Sequence, residues 1–160
     1  MWTVEAPVAT RRPAMTVQRG IDPRLAGVTL QRTRPDFQLT RVLAPDGANI
    51  CSIRVTGRMI QQDRYGVAVR YAFDTTQREL AATYGPATQV VDALRNDAYY
   101  ADAEEWLEAI FRNERTYAAA WQPDKPLADN ISGITLTVRA VSKDAAYITV
   151  QYRFDSHPRC

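Results

Sequence analysis

The sequence predicts a single α+β domain: a mainly antiparallel sheet made of N-terminal and C-terminal strands, with two or three helices packed on one face. Three observations carry this. Apolar side chains alternate with polar ones, the strand period, before residue 74 and again after residue 116. Helical spacing and helix punctuation are confined to the stretch between. Strands, then helices, then strands is the order that segregates helices to one side of an antiparallel sheet. A chain of 160 residues with 46% hydrophobic side chains suits one domain with a real core.

Residues 1–26 contain Pro7, Pro13 and Pro23 without periodicity and read as an irregular N-terminal arm, leaving 27–160 for the domain. Phe37, Leu39 and Leu43 fall on one side of a first strand that Arg41 interrupts. The stretch from Pro45 to Asn49 is turn-forming by composition. From Ile50 to Thr56, Cys51, Ile53 and Val55 point inward while Ser52, Arg54 and Thr56 point outward. A turn at Asp63 to Gly66 then leads into Val67, Val69, Tyr71 and Phe73, an alternating row that predicts another strand.

Helix signals follow. Thr76 and Glu79 have capping-box spacing, Leu80 and Tyr84 lie one turn apart, and Gly85-Pro86 supplies a stop. A short helical turn is expected over Gln89 to Leu94. The best helix spans Asp102 to Arg112, with Asp102 and Glu105 as cap. Its apolar stripe is Ala103, Trp106, Leu107, Ile110 and Phe111, and Glu104 and Glu108 face solvent. Tyr117, Ala119 and Trp121 return to alternation, and Pro123 to Asn130 is a loop. Ile134, Leu136, Val138 and Ala140 form one inward row, and Ile148, Val150, Tyr152 and Phe154 another. Ser142-Lys143-Asp144 joins the two as a hairpin.

The formal net charge of +2 conceals an asymmetry. Residues 1–70 hold eleven arginines and five acids, whereas residues 71–114 hold three arginines and nine acids. One acidic surface and one basic surface are expected. The arginines of the first half are not interleaved with aromatic side chains and form no reading motif, so nucleic acid is not an expected partner. Lysine is nearly absent: Lys125 and Lys143 are the two among 20 basic residues, a bias that fits a GC-rich coding sequence.

Chemistry is sparse. The one histidine, His157, stands three residues from the C-terminus in a Ser-His-Pro-Arg tail, away from every candidate serine, and a tail does not hold a base rigidly, which disfavours nucleophilic catalysis. Metal-ligand spacings, phosphate-binding loops and EF-hands are absent, so no metal and no cofactor is expected. The acids Asp97, Asp102, Glu104, Glu105 and Glu108 cluster, but helix geometry and capping account for them better than paired-carboxylate hydrolysis. A carboxylate-dependent hydrolase is therefore the weakest of three readings, and an enzyme is not expected. Tyr99 and Tyr100 beside these acids suggest a partner-binding patch of Asp97, Tyr99, Tyr100, Asp102, Glu104 and Glu108, suited to a basic protein.

No apolar stretch reaches the length of a membrane span, and the first residues lack a signal peptide pattern. Cys51 and Cys160 are the two cysteines, and a cysteine on a tail suits a disulfide that ties it down. The expected compartment is therefore the periplasm or another exported location, with a cytoplasmic protein as the alternative. The pattern from Phe73 through Tyr84-Gly85-Pro86, Trp106, Trp121, Ile134–Leu136 and Ile148–Phe154, ending at a cysteine, resembles small exported bacterial proteins of unknown function. Periplasmic immunity and inhibitor proteins share this sheet-plus-helices character. The resemblance implies a non-catalytic protein-binding domain that neutralises a toxin or an envelope enzyme. The alternative is a structural or accessory envelope protein.

Overall fold

The two alternating rows of the last third form the centre of the molecule. In the computed structural model, which describes residues 17–19, 25–28, 36–44, 50–124, 126–127 and 130–154, Ile131–Ala140 and Ala146–Phe154 pair as a long antiparallel hairpin. The strands in chain order are β1 (Val17–Arg19), β2 (Leu25–Val28), β3 (Phe37–Leu43), β4 (Ser52–Gly57), β5 (Gln89–Leu94), β6 (Arg115–Trp121), β7 (Ile131–Ala140) and β8 (Ala146–Phe154). Helix α1 (Val67–Tyr84) lies between β4 and β5, and a 3-10 turn at Ala103–Glu105 leads into α2 (Trp106–Phe111).

All strand pairs are antiparallel, in the order β1-β2-β3-β4-β8-β7-β6-β5. The chain lays down β1 to β4 as a meander, crosses the sheet with α1, and returns from the far edge to set β8 against β4. Both helices pack on the same face, α1 over β7 and β8, α2 over β6 and β7. The core fills the space between: Val69, Phe73 and Leu80 from α1 and Leu107 from α2 meet Trp121, Ile134 and Leu136, all fully buried. The expected α+β class and one-sided packing of helices are what the structure shows.

Several elements differ from the sequence reading. Val67–Phe73 is the first half of α1, not a strand. Val69 and Phe73 are one helical turn apart and buried, while Val67 and Tyr71, also one turn apart, are 63% and 70% exposed. Two interleaved i, i+4 pairs offset by two residues imitate strand alternation. The helix starts ten residues before the expected capping box because Asp63 caps it from the preceding turn. Its two carboxylate oxygens accept the backbone N–H groups of Ala68 and Val69 at 3.0 and 2.8 Å. Thr76 consequently sits mid-helix with its side chain buried. Gln89–Leu94 is the edge strand β5 rather than a helical turn, as its adjacent β-branched Val90 and Val91 favour.

The helix expected over Asp102–Arg112 is shorter, and Asp102 makes no side-chain cap bond. Ala103 and Phe111 are exposed, so the buried stripe is Trp106, Leu107, Ala109 and Ile110. In β3 the register sets Thr40 and Val42 opposite the core-side Val55 and Ile53, which turns Arg41 to the other face of the sheet. Val17–Arg19 is a strand although it lies inside the segment read as an arm. The turn expected over 45–49, His157 and Cys160 lie outside the described residues. Among the described residues no helix is long and apolar enough to cross a membrane.

Candidate functional site

The patch expected to recognise a basic partner lies around the β5–α2 connection, and two of its four carboxylates have ion-pair partners. Asp97 accepts a hydrogen bond from Arg95 Nε at 2.6 Å, and this contact, with the arginine's positive field, holds its carboxyl below the usual range. Glu108 pairs with Arg112 at 3.4 Å. Glu114, which the sequence reading left aside, accepts the backbone N–H groups of Tyr99 and Tyr100 through one oxygen at 2.8 and 2.9 Å. These bonds fix the loop and set the tyrosine rings edge-on, 5.0 Å apart. Tyr99 is 81% exposed and so does not staple the helix behind it. Asp102 and Glu104 remain exposed. The six residues thus lie together along this connection and the start of α2, with Asp97 and Glu108 in local ion pairs and Asp102 and Glu104 exposed without one among the described residues.

A second polar group forms where Tyr117 of β6 meets Phe73 and Asp74 of α1. Tyr117 packs against Phe73 with the rings tilted by 56° and their centroids 4.5 Å apart, and meets Trp106 edge-on at 5.3 Å. Its hydroxyl points at Asp74 Oδ1, 3.5 Å away, and Arg115 Nε donates to Asp92 at 2.9 Å. Burial, followed by the negative field of Asp74 and Asp92, pushes the Tyr117 phenol up from its ordinary value. The phenol is therefore a neutral hydrogen-bond donor at neutral pH.

The face of the sheet opposite the helices carries a continuous polar arrangement. Strand geometry sends alternate side chains to this side, and the register aligns them across four strands. Thr56, Thr149 and Thr137 are consecutive cross-strand neighbours on β4, β8 and β7. Next to them runs a second row, Arg41, Arg54, Gln151 and Thr135, in which Arg54 Nη2 donates to Gln151 Oε1 at 2.8 Å. At the other end Arg139 is the cross-strand neighbour of Tyr147. Together these side chains line a groove of about 270 Å3.

Arg54 and Thr56 were legible as outward residues of an alternating strand. Arg139, Thr135, Thr137, Thr149 and Gln151 were missed as a group, although each alternates with the inward rows of the hairpin. The signal that finds them is the polar half of the same period that identified the core. Cys51 is buried just before β4, whereas its expected partner Cys160 lies outside the described residues. Among the described residues no cluster of His, Cys, Asp or Glu is placed to hold a metal ion. No protein-family model, curated protein or solved structure matches the chain.

Proposed function

We propose that this domain is a non-catalytic, exported protein-binding module, of the kind that covers a toxin or an envelope enzyme, and that it meets its partner with the open face of the sheet. One observation carries the reading. The helices and the whole apolar core occupy one face, while the other presents aligned hydroxyl, amide and guanidinium groups around a groove that crosses β3, β4, β8 and β7. A rigid sheet whose rows are held by neighbouring strands presents such groups in fixed geometry, which lowers the ordering cost of binding. On the helix side three ion pairs, Arg95–Asp97, Arg112–Glu108 and Arg115–Asp92, engage part of the charge locally.

The test is co-purification from native extract with three forms of the protein. Wild type and Tyr99→Ala should retain the same associated protein, and Thr137→Trp, which fills the groove floor, should lose it with an unchanged melting temperature. Retention by Thr137→Trp would move the interface off this face. Export carries its own expectation, a bridge between Cys51 and Cys160. Intact-mass measurement should show a gain of two hydrogens on reduction, and two alkylatable thiols in unreduced protein would remove that part of the proposal.

A further inference from the structure

Resting on that reading, we infer that the groove of the open face takes carboxylate side chains from an acidic segment of the partner protein. Arginines without an ion pair occur on both sides among the described residues, but those of α1, Arg70 and Arg78, are turned to backbone carbonyls of their own helix start or turn, whereas those of the open face converge on one groove. On the helix side Arg95, Arg112 and Arg115 each have a carboxylate within ion-pair distance, at 2.6, 3.4 and 2.9 Å. On the open face Arg41, Arg54 and Arg139 all line the groove, no acidic residue lines it, and none of the three is ion-paired among the described residues. Arg41 and Arg54 are also directly opposed cross-strand neighbours. Like charges in that position repel each other, and an anion between or above them converts the repulsion into a clamp.

The chemistry of the groove selects the occupant. Guanidinium groups offer forked donors matched to carboxylate. Gln151 holds the Arg54 fork by accepting its hydrogen bond, and the hydroxyls of Thr56, Thr149 and Thr137 supply neutral donors along the floor. A volume of about 270 Å3 falls below the roughly 300–1,000 Å3 of small-molecule pockets. It fits one or two side chains, not a cofactor. Single-stranded nucleic acid is the poorer match, because among the described residues Tyr147 is the one aromatic lining the groove, and such binding relies on successive stacking platforms. The acidic segment would lie across the threonine row with carboxylates toward Arg41 and Arg54 at one end and Arg139 at the other.

The experiment titrates isotope-labelled full-length protein with a hexaglutamate peptide, with inorganic phosphate and with a single-stranded oligonucleotide, reading arginine Nε–H resonances and calorimetric affinity. The peptide should shift the Arg54 signal, bind more weakly as salt rises, and lose about tenfold in affinity with Arg54→Gln or Arg139→Gln, one charge-assisted bond each. Arg54→Lys should recover part of that loss, and Arg78→Gln on α1 should change nothing. No peptide binding, equal loss with Arg78→Gln, or stronger binding of phosphate or oligonucleotide than of peptide would overturn the inference. If the peptide fails while Thr137→Trp still releases the co-purifying protein, the face is right and the acidic chemistry wrong. If the peptide binds as described but Thr137→Trp retains that protein, the anion site stands and the protein interface lies elsewhere.

Discussion

Gly66 lies so close to Trp106 that a Cβ built on it would stand 2.1 Å from the indole Cε3 atom. The same glycine has φ of +68°, in the left-handed region that side chains rarely adopt. It occupies the N-cap position of α1, so one residue sets both the entry angle of the long helix and its contact with the short one. Trp106 cannot retreat freely: Arg70 lies 5.0 Å above its ring and Tyr117 packs against it edge-on. Gly66→Ala should therefore cost about 3 kcal/mol, combining backbone strain with overpacking. Urea denaturation reads this as a fall in midpoint with unchanged slope, and an unchanged midpoint would mean that the helix–helix contact is looser than described.

Asp63 is buried, and its carboxylate carries the backbone donors of Ala68 and Val69. Removing it leaves these N–H groups at the start of α1 without acceptors. Asp63→Ala should destabilise the domain by about 2 kcal/mol, at the upper end for helix caps, and Asp63→Asn by about 1 kcal/mol because one acceptor survives. Thr76→Ala, at the capping box that the sequence suggested, removes no cap. Thermal unfolding of the three variants separates them, and equal losses for Asp63→Ala and Asp63→Asn would argue against the two-oxygen cap.

Tyr117 gives a prediction in pH. Its folded-state pKa is raised, first by burial and then by Asp74 and Asp92, above the value of about 10 expected in the unfolded chain. A raised pKa means that the stabilisation is fully present below pH ~10 and is lost as pH rises through the folded value. Absorbance at 295 nm should show a late-titrating component, and Tyr117→Phe should remove one tyrosine's worth of it. A wild-type curve with no late component would place the phenol in solvent.

The C-terminal half of the fold was readable because its signals are redundant. In Ile134–Ala140 and Ile148–Phe154 the alternation, the β-branched composition and the polar turn at Ser142–Asp144 all point to one hairpin. The first half of α1 was not readable for a specific reason. Val67, Val69, Tyr71 and Phe73 satisfy the strand period locally, and the cap that starts the helix, Asp63, stands three residues before the N-cap Gly66. Only the longer series Val69, Phe73, Thr76 and Leu80, all buried, reveals the helical period, and its threonine disguises it.

The candidate site was legible in part. Arg54 and Thr56 face away from the core in the sequence reading too, but their meeting with Thr137, Thr149 and Arg139 depends on β8 pairing with β4, where the paired Arg54 and Gln151 stand 97 residues apart in the chain. No local pattern carries that long-range register. The acidic cluster at Asp97–Glu108 stood out in sequence because its partner Arg95 was weighed as background charge and Arg112 as the end of a helix. Their hydrogen bonds to Asp97 and Glu108 neutralise two of the patch's four carboxylates locally and leave Asp102 and Glu104 exposed.

Binding through the open face is the central claim, and site-specific photo-cross-linking tests it most directly. A benzophenone side chain is placed in turn at Thr149 on the groove floor, at Tyr71 on the exposed side of α1 and at Tyr99 in the acidic loop. With native extract, irradiation should give one discrete cross-linked product from position 149 and none from 71 or 99. The product should disappear when Arg54→Glu is added to the Thr149 variant. A product from position 99 or 71 with none from 149 would contradict the account and put recognition on the helix side of the sheet.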